Sequence, residues 1–324
     1  MKKKFMSFTA VAVMLFLGAC SNQNEILTEN NTEPTRTISI KASMPEGQPT
    51  TRIALEEEGK NMNLTWEVGD VLNLLFEQGS IRVQAQVELT QEDITNEGKN
   101  AQFEIPVPNG ATGEFTLYGV YGGRGIVTSS ESDDIAAALP LNPNILANTD
   151  QRNIMLYFVT TMQTTDEDVA VTFEHIGSLF NISISNITPS VIASFTGPIS
   201  ELRLIGIEGE NNDGMWAYNN PDGQYFDLKS QTLKNLPAAP YGNYISFNRE
   251  IFDNGTASLW AWYPPMTDKV WPEVKLQIIG LDGTTVLKES TNTKTRTTIT
   301  EAGKSYYLYA SFNEDNELEF VDPF

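Results

Sequence analysis

The chain has 324 residues, 40% of them hydrophobic and 19% charged, with one Cys and one His. It carries 42 acidic residues against 21 basic, a formal net charge of −21 that repels phosphate backbones and argues against nucleic acid as a partner. A lone Cys makes no intrachain disulfide, one His with one Cys builds no His/Cys zinc site, and any Ser-His-Asp triad would have to use the single imidazole.

Read in order, residues 1–19 form a leader: Lys2, Lys3 and Lys4, an apolar run from Phe5 to Leu17, then small residues. The run is too short for a spanning helix. Leu17-Gly18-Ala19-Cys20 resembles the lipobox of bacterial lipoproteins, which implies a signal peptide removed before Cys20 and acyl chains on its thiol. That lipid is the expected attachment to the outer membrane, because an acidic surface is repelled by anionic lipid. Residues 20–35 are polar, with Ile26 and Leu27 the apolar exceptions after Cys20, and read as a flexible leash.

From there the hydrophobic pattern has period two. Ile38, Ile40, Ala42 and Met44 alternate with polar residues, the mark of a half-buried strand. Further strands are expected at 71–76, 81–89, 101–105, 115–121 and 154–159. A second series follows at 169–173, 179–184, 201–205, 224–228, 244–247, 258–263, 274–279, 285–288 and 305–312, punctuated by turns such as Asn109-Gly110 and Asp282-Gly283. The segment 132–139 reads as one short helix. The chain is therefore all-β and of sandwich type, and the polar stretch Gln163–Asp168 divides it into sandwiches at 36–165 and 166–324. No sequence repeat at a fixed period is visible.

Candidate chemistry is sparse. The glycine-rich Tyr118–Gly125 lacks the Lys-Ser/Thr and helix of a phosphate loop. His175 shares a strand face with Val171 and Phe173, as a core or strand-end residue would. The many carboxylates show no spacing that picks out a catalytic pair, and no calcium loop occurs. No enzyme activity, cofactor or metal is expected. Trp216, Trp260, Trp262 and Trp271 concentrate in the second half, where flat rings either pack a core or stack on sugars. Trp260 and Trp262 are thus candidate ligand residues for an alternative reading, a surface carbohydrate-binding lipoprotein.

Together the lipobox at Cys20, the strand Thr37–Ala42 leading to Thr50-Thr51-Arg52, and Thr65-Trp66-Glu67-Val68-Gly69-Asp70 entering a strand resemble the fimbrillin family, the type V pilus subunits of anaerobic Gram-negative bacteria. Phe173-Glu174-His175-Ile176-Gly177 and Ile299–Leu308 add to the resemblance. It implies two transthyretin-like, Greek-key β-sandwiches in tandem and a lipoprotein at the cell surface. It also implies an Arg-specific surface protease that removes the first strand, so that a strand from the next subunit fills the groove, head to tail. Cutting after Arg52 would discard Ile38, Ile40, Ala42 and Met44, whereas cutting at the rival Arg36 would leave the strand in place. The expected role is a fimbrial structural subunit supporting adhesion, with other fimbrial subunits and host or bacterial surface receptors as partners. Leu318, Phe320 and Phe324 alternate as in a donor or closing strand, but Asp322 and Pro323 interrupt that face.

Overall fold

Strand alternation, with apolar side chains on one face and polar ones on the other, organises nearly all of the computed structural model. It describes residues 36–45, 64–128, 133–140, 154–207, 224–234, 244–248, 255–264, 273–295 and 301–322. Cys20, Arg52, Trp216, Trp271, Pro323 and Phe324 lie outside the described residues.

The first strands are β1 (Thr37–Ser43), β2 (Val71–Gln78), β3 (Ile81–Glu88), β4 (Ile94–Thr95), β5 (Asn100–Pro106), β6 (Glu114–Tyr121) and β7 (Ile126–Thr128). Next come β8 (Ile135–Ala138), β9 (Leu156–Gln163), β10 (Asp168–Thr172), β11 (Glu174–His175), β12 (Ser178–Ile187), the helix α1 (Pro189–Ala193) and β13 (Ile199–Gly206). The rest are β14 (Tyr225–Asp227), β15 (Thr232–Lys234), β16 (Tyr244–Asn248), β17 (Gly255–Tyr263), β18 (Val274–Gly280), β19 (Val286–Glu289), β20 (Ser305–Phe312) and β21 (Leu318–Val321). The chain is all-β, as its pattern predicts.

One expected element is wrong. The segment read as a helix holds β8, whose Ile135-Ala136-Ala137-Ala138 pairs antiparallel with both β7 and β14. Alanine prefers helix, but two strand neighbours and the burial of Ile135, Ala137 and Ala138 outweigh that preference. The single helix among the described residues instead follows Thr188, whose hydroxyl accepts from the Val191 N–H as an N-cap, with Pro189 in the first turn.

The described strands form five sheets, and four of them repeat one connectivity apart from added strands such as β4 and β21. In the first half the orders are β10-β1-β5-β4 and β11-β9-β6-β2-β3; in the second they are β17-β12-β20-β21 and β16-β13-β18-β19. The first strand of each half, β1 or β12, runs parallel to the strand on one side and antiparallel to that on the other. The fifth sheet, β15-β14-β8-β7, takes strands from both halves. Pairing partners change between His175 and Ser178, later in the chain than Gln163–Asp168, because β10 and β11 pair with β1 and β9.

Turn residues explain how the strands are entered. Before β2, the Glu67 N–H donates to Asp70 Oδ2 at 2.8 Å, Gly69 takes φ +90°, and the Tyr121 hydroxyl donates to Asp70 Oδ1 at 3.1 Å. This ties the Trp-Glu-Val-Gly-Asp turn to the sheet. Trp66 itself is buried edge-on against Tyr121 and Phe173.

Candidate functional site

Strand β1 is a central strand, seated between β10 and β5. Ile38, Ile40 and Ala42 are fully buried and Met44 nearly so, at 7% exposure, while Lys41 faces water beside Asp168. Along β5 the register sets Ile38 opposite Ile105, Ile40 opposite Phe103, and Ala42 opposite Ala101. On the other side Ile40 meets Val169 and Ala42 meets Val171. The ends are fixed by backbone bonds, Ser39 N–H to Glu167 O at 2.9 Å, Met44 N–H to Lys99 O at 3.0 Å, and Phe173 N–H to Ser43 O at 3.0 Å.

Burial of each of Ile38, Ile40 and Met44 contributes roughly 1.5–3 kcal/mol. Taking β1 away uncovers an apolar slot and two strand edges, a combination that favours refilling by another strand. Arg36, the rival processing residue, stands exposed just before β1, its guanidinium donating to Thr165 O at 2.6 Å. Arg52 and Cys20, the expected processing and lipidation residues, fall outside the described segments.

The aromatic candidates are corrected in part. Trp262 is fully buried, and a Cβ on Gly177 would sit 2.3 Å from its Cε2, so its ring is core and offers no face to a sugar. Trp260 is half-buried and meets Tyr307 edge-to-face at 5.7 Å, packed against the core. Neither forms an open stacking platform.

Two motifs far apart in sequence meet beside Trp262. The Gly303 N–H donates to Gly177 O at 2.9 Å, Leu179 N–H to Lys304 O at 3.0 Å, and the Ser178 hydroxyl to Glu301 O at 2.8 Å. His175 packs there too, 3.2 Å from where a Cβ on Gly303 would lie. Burial lowers its pKa from 6.5 to about 4, so it is a neutral packing residue at pH 7. On the neighbouring strand the buried Tyr157 hydroxyl donates to Glu174, which raises the phenol pKa further than burial alone.

A charged cluster, which the sequence did not single out, joins β2 and β3 to the turn after β14. Arg82 and Lys229 each bridge Glu77 and Asp133 at 2.8–3.0 Å, and Tyr118 donates to Glu77. Burial opposes the Glu77 charge, but hydrogen bonds from Lys229, Arg82 and Tyr118 hold its pKa below the ordinary carboxylate value. An open polar cleft of about 390 Å³ lies alongside; of its charged walls, Glu77, Asp133 and Lys229 are paired with one another and Glu114 accepts from Gln163. Among the described residues no group of His, Cys, Asp and Glu is placed to hold a metal, and no helix is long and apolar enough to cross a membrane.

No protein-family model matches the chain, and no curated protein does. Among solved structures, a proposed cell adhesion protein of Bacteroides ovatus aligns over 90% of this chain and 97% of its own, at 15% identity and a TM-score of 0.48. A proposed cell adhesion protein of Bacteroides uniformis aligns over 89% and 98%, at 12% identity and 0.48. The fimbrial anchor protein Mfa2 of Porphyromonas gingivalis aligns over 88% and 96%, at 10% identity and 0.40. At these identities and TM-scores the likeness carries no functional conclusion, which has to come from this chain's own strands.

Proposed function

We propose that this chain is a fimbrillin-like structural subunit of a cell-surface fimbria, serving adhesion and assembling when an Arg-specific protease releases β1 and a partner strand takes its place. The observation that supports the reading is the seat of β1: fully buried at three inward positions, central in its sheet, and the first described strand of the chain. Here Arg52 follows β1 in the sequence and is the expected cut.

In this reading Cys20 carries the lipid that holds the subunit at the outer membrane until processing, and the protein has no enzymatic activity or cofactor. Its partners are other fimbrial subunits, the protease and surface receptors. Of the two described stacking candidates of the carbohydrate-binding alternative, Trp262 is buried in the core and Trp260 is half-buried against it.

The test is strand replacement. After cleavage by an Arg-specific protease, a labelled synthetic peptide of residues 35–45 should enter the cleaved protein and co-elute with it. It should be excluded from an uncleaved Arg52→Ala protein. Failure of the peptide to enter, with the cleaved protein still folded by circular dichroism, would overturn the reading.

A further inference from the structure

The slot left by β1 requires an alternating apolar strand, and within this chain β21 comes nearest to that pattern. β21 ends its own sheet, yet both of its edges are already engaged. One edge pairs antiparallel with β20, Phe312 opposite Leu318 and Ala310 opposite Phe320, and Leu318 and Phe320 are buried at 0% and 5% exposure. The other edge is held as well: Thr291 N–H donates to Leu318 O at 2.8 Å. The Asn292 carboxamide grips Phe320 like a strand neighbour, donating to its carbonyl at 2.8 Å and accepting from its N–H at 2.7 Å. Lys294 then pairs with Asp322 at 2.9 Å. β10, which like β20 runs parallel to the first strand of its half, carries no such flanking strand, so β21 is an addition of the second half that covers the outer edge of β20.

A second, independent observation is the fit of side chains. The slot's three fully buried sites hold Ile38, Ile40 and Ala42, the last walled by Ala101 and Val171. Threading β21 and its flanks through them with Leu318 or Phe320 in the Ile38 site puts the Asp322 carboxylate into the third or second site. Sliding it the other way puts Asn316 in the first site and Phe320 against Ala101, where only a methyl fits. Reversing the strand either keeps Asp322 inside with Phe320 or Leu318 in the Ala42 site, or sets Phe320, Leu318 and Asn316 in the three sites and forces an asparagine where only a methyl fits. A buried unpaired carboxylate or an overfilled site disfavours each alignment, and Pro323 lacks a ladder donor.

We propose that the strand replacing β1 comes from a different polypeptide, with branched aliphatic side chains at the first two inward positions and a small one at the third, and not from β21 of a second copy. This rests on the strand-replacement reading above and adds to it the direction of assembly: the chain accepts a strand from another kind of subunit and does not extend into a filament of itself.

The experiment measures binding of two labelled peptides, residues 35–45 and residues 316–324, to the protease-cleaved protein, together with its mass by light scattering. The expected result is that the first peptide binds, the second binds at least about 100-fold more weakly, as a buried carboxylate requires, and the cleaved protein alone stays monomeric. Ala42→Phe in the first peptide should cost a similar factor. Asp322→Ala with Pro323→Thr in the second should recover at least about tenfold, which identifies the carboxylate and the proline as the obstacles. Binding of the two native peptides within about tenfold of each other, or multimers of the cleaved protein that the 316–324 peptide disperses, would overturn the proposal while leaving strand replacement intact. If the 35–45 peptide itself does not bind, it is strand replacement that fails.

Discussion

His175 is the chain's single imidazole, and its burial beside Gly303 gives it a measurable signature. Its folded pKa, about 4, lies below the ordinary 6.5, so the unfolded state binds the proton first as pH falls. Stability from this group is complete above pH 6.5 and is lost as pH drops toward 4, amounting to about 2 kcal/mol between pH 7 and pH 5. Urea denaturation at the two pH values should show that loss, and His175→Gln should abolish it. Gly177 makes a sharper case, because its missing Cβ is the room that Trp262 occupies. Trp262 has nowhere to go in a filled core, so Gly177→Ala should cost about 1–3 kcal/mol, read as a lower urea midpoint at unchanged slope. Sequence alone left Trp262 open between core and ligand, since period two says which residues share a face and not whether that face is covered.

At the scale of elements, strands with clean alternation and a single covered face were legible. β1 and β5 show inward and outward residues in strict turn, and their ends fall within a residue of expectation. β8 was not legible, because three consecutive alanines carry no period and only the neighbours β7 and β14 decide their state. The grip of Asn292 on β21 was equally hidden, since nothing local distinguishes an asparagine in a turn from one that stands in for backbone. Asn292→Ala removes both bonds to Phe320 and should lower stability by about 1–3 kcal/mol. The Phe320 amide should then exchange hydrogen faster, while amides of β1 keep their protection. Equal acceleration in both strands would mean that β21 is not an independent clasp.

For the whole molecule, acidity sets the direction of the pH response. Hydrogen bonds from Thr285 and Thr284 hold Asp282 well below the usual carboxylate range. At the buried Asp227, bonds from Ser230, Ile135 and Lys229 overcome the opposing effect of burial. Folded pKa values below the unfolded ones mean stability that is full above about pH 4 and lost beneath it. Thermal scans from pH 8 to pH 3 should therefore show two declines, one from His175 between about pH 6.5 and 4 and a second below it, and only the first should vanish in His175→Gln. The repeated strand order of the two halves had no counterpart in the residues, because connectivity is fixed by which backbones pair and many side-chain sets satisfy the same ladder.

The seat of β1 also imposes an order on how the molecule comes into being. Its antiparallel neighbour β5 follows by more than fifty residues and its parallel neighbour β10 by more than a hundred, so the seat of the earliest described strand closes in two steps. At roughly 5–20 residues per second, the ribosome leaves the edge that β10 later covers open for on the order of ten seconds. Through that interval the inward side chains of β1 lack the complete sheet that later buries them.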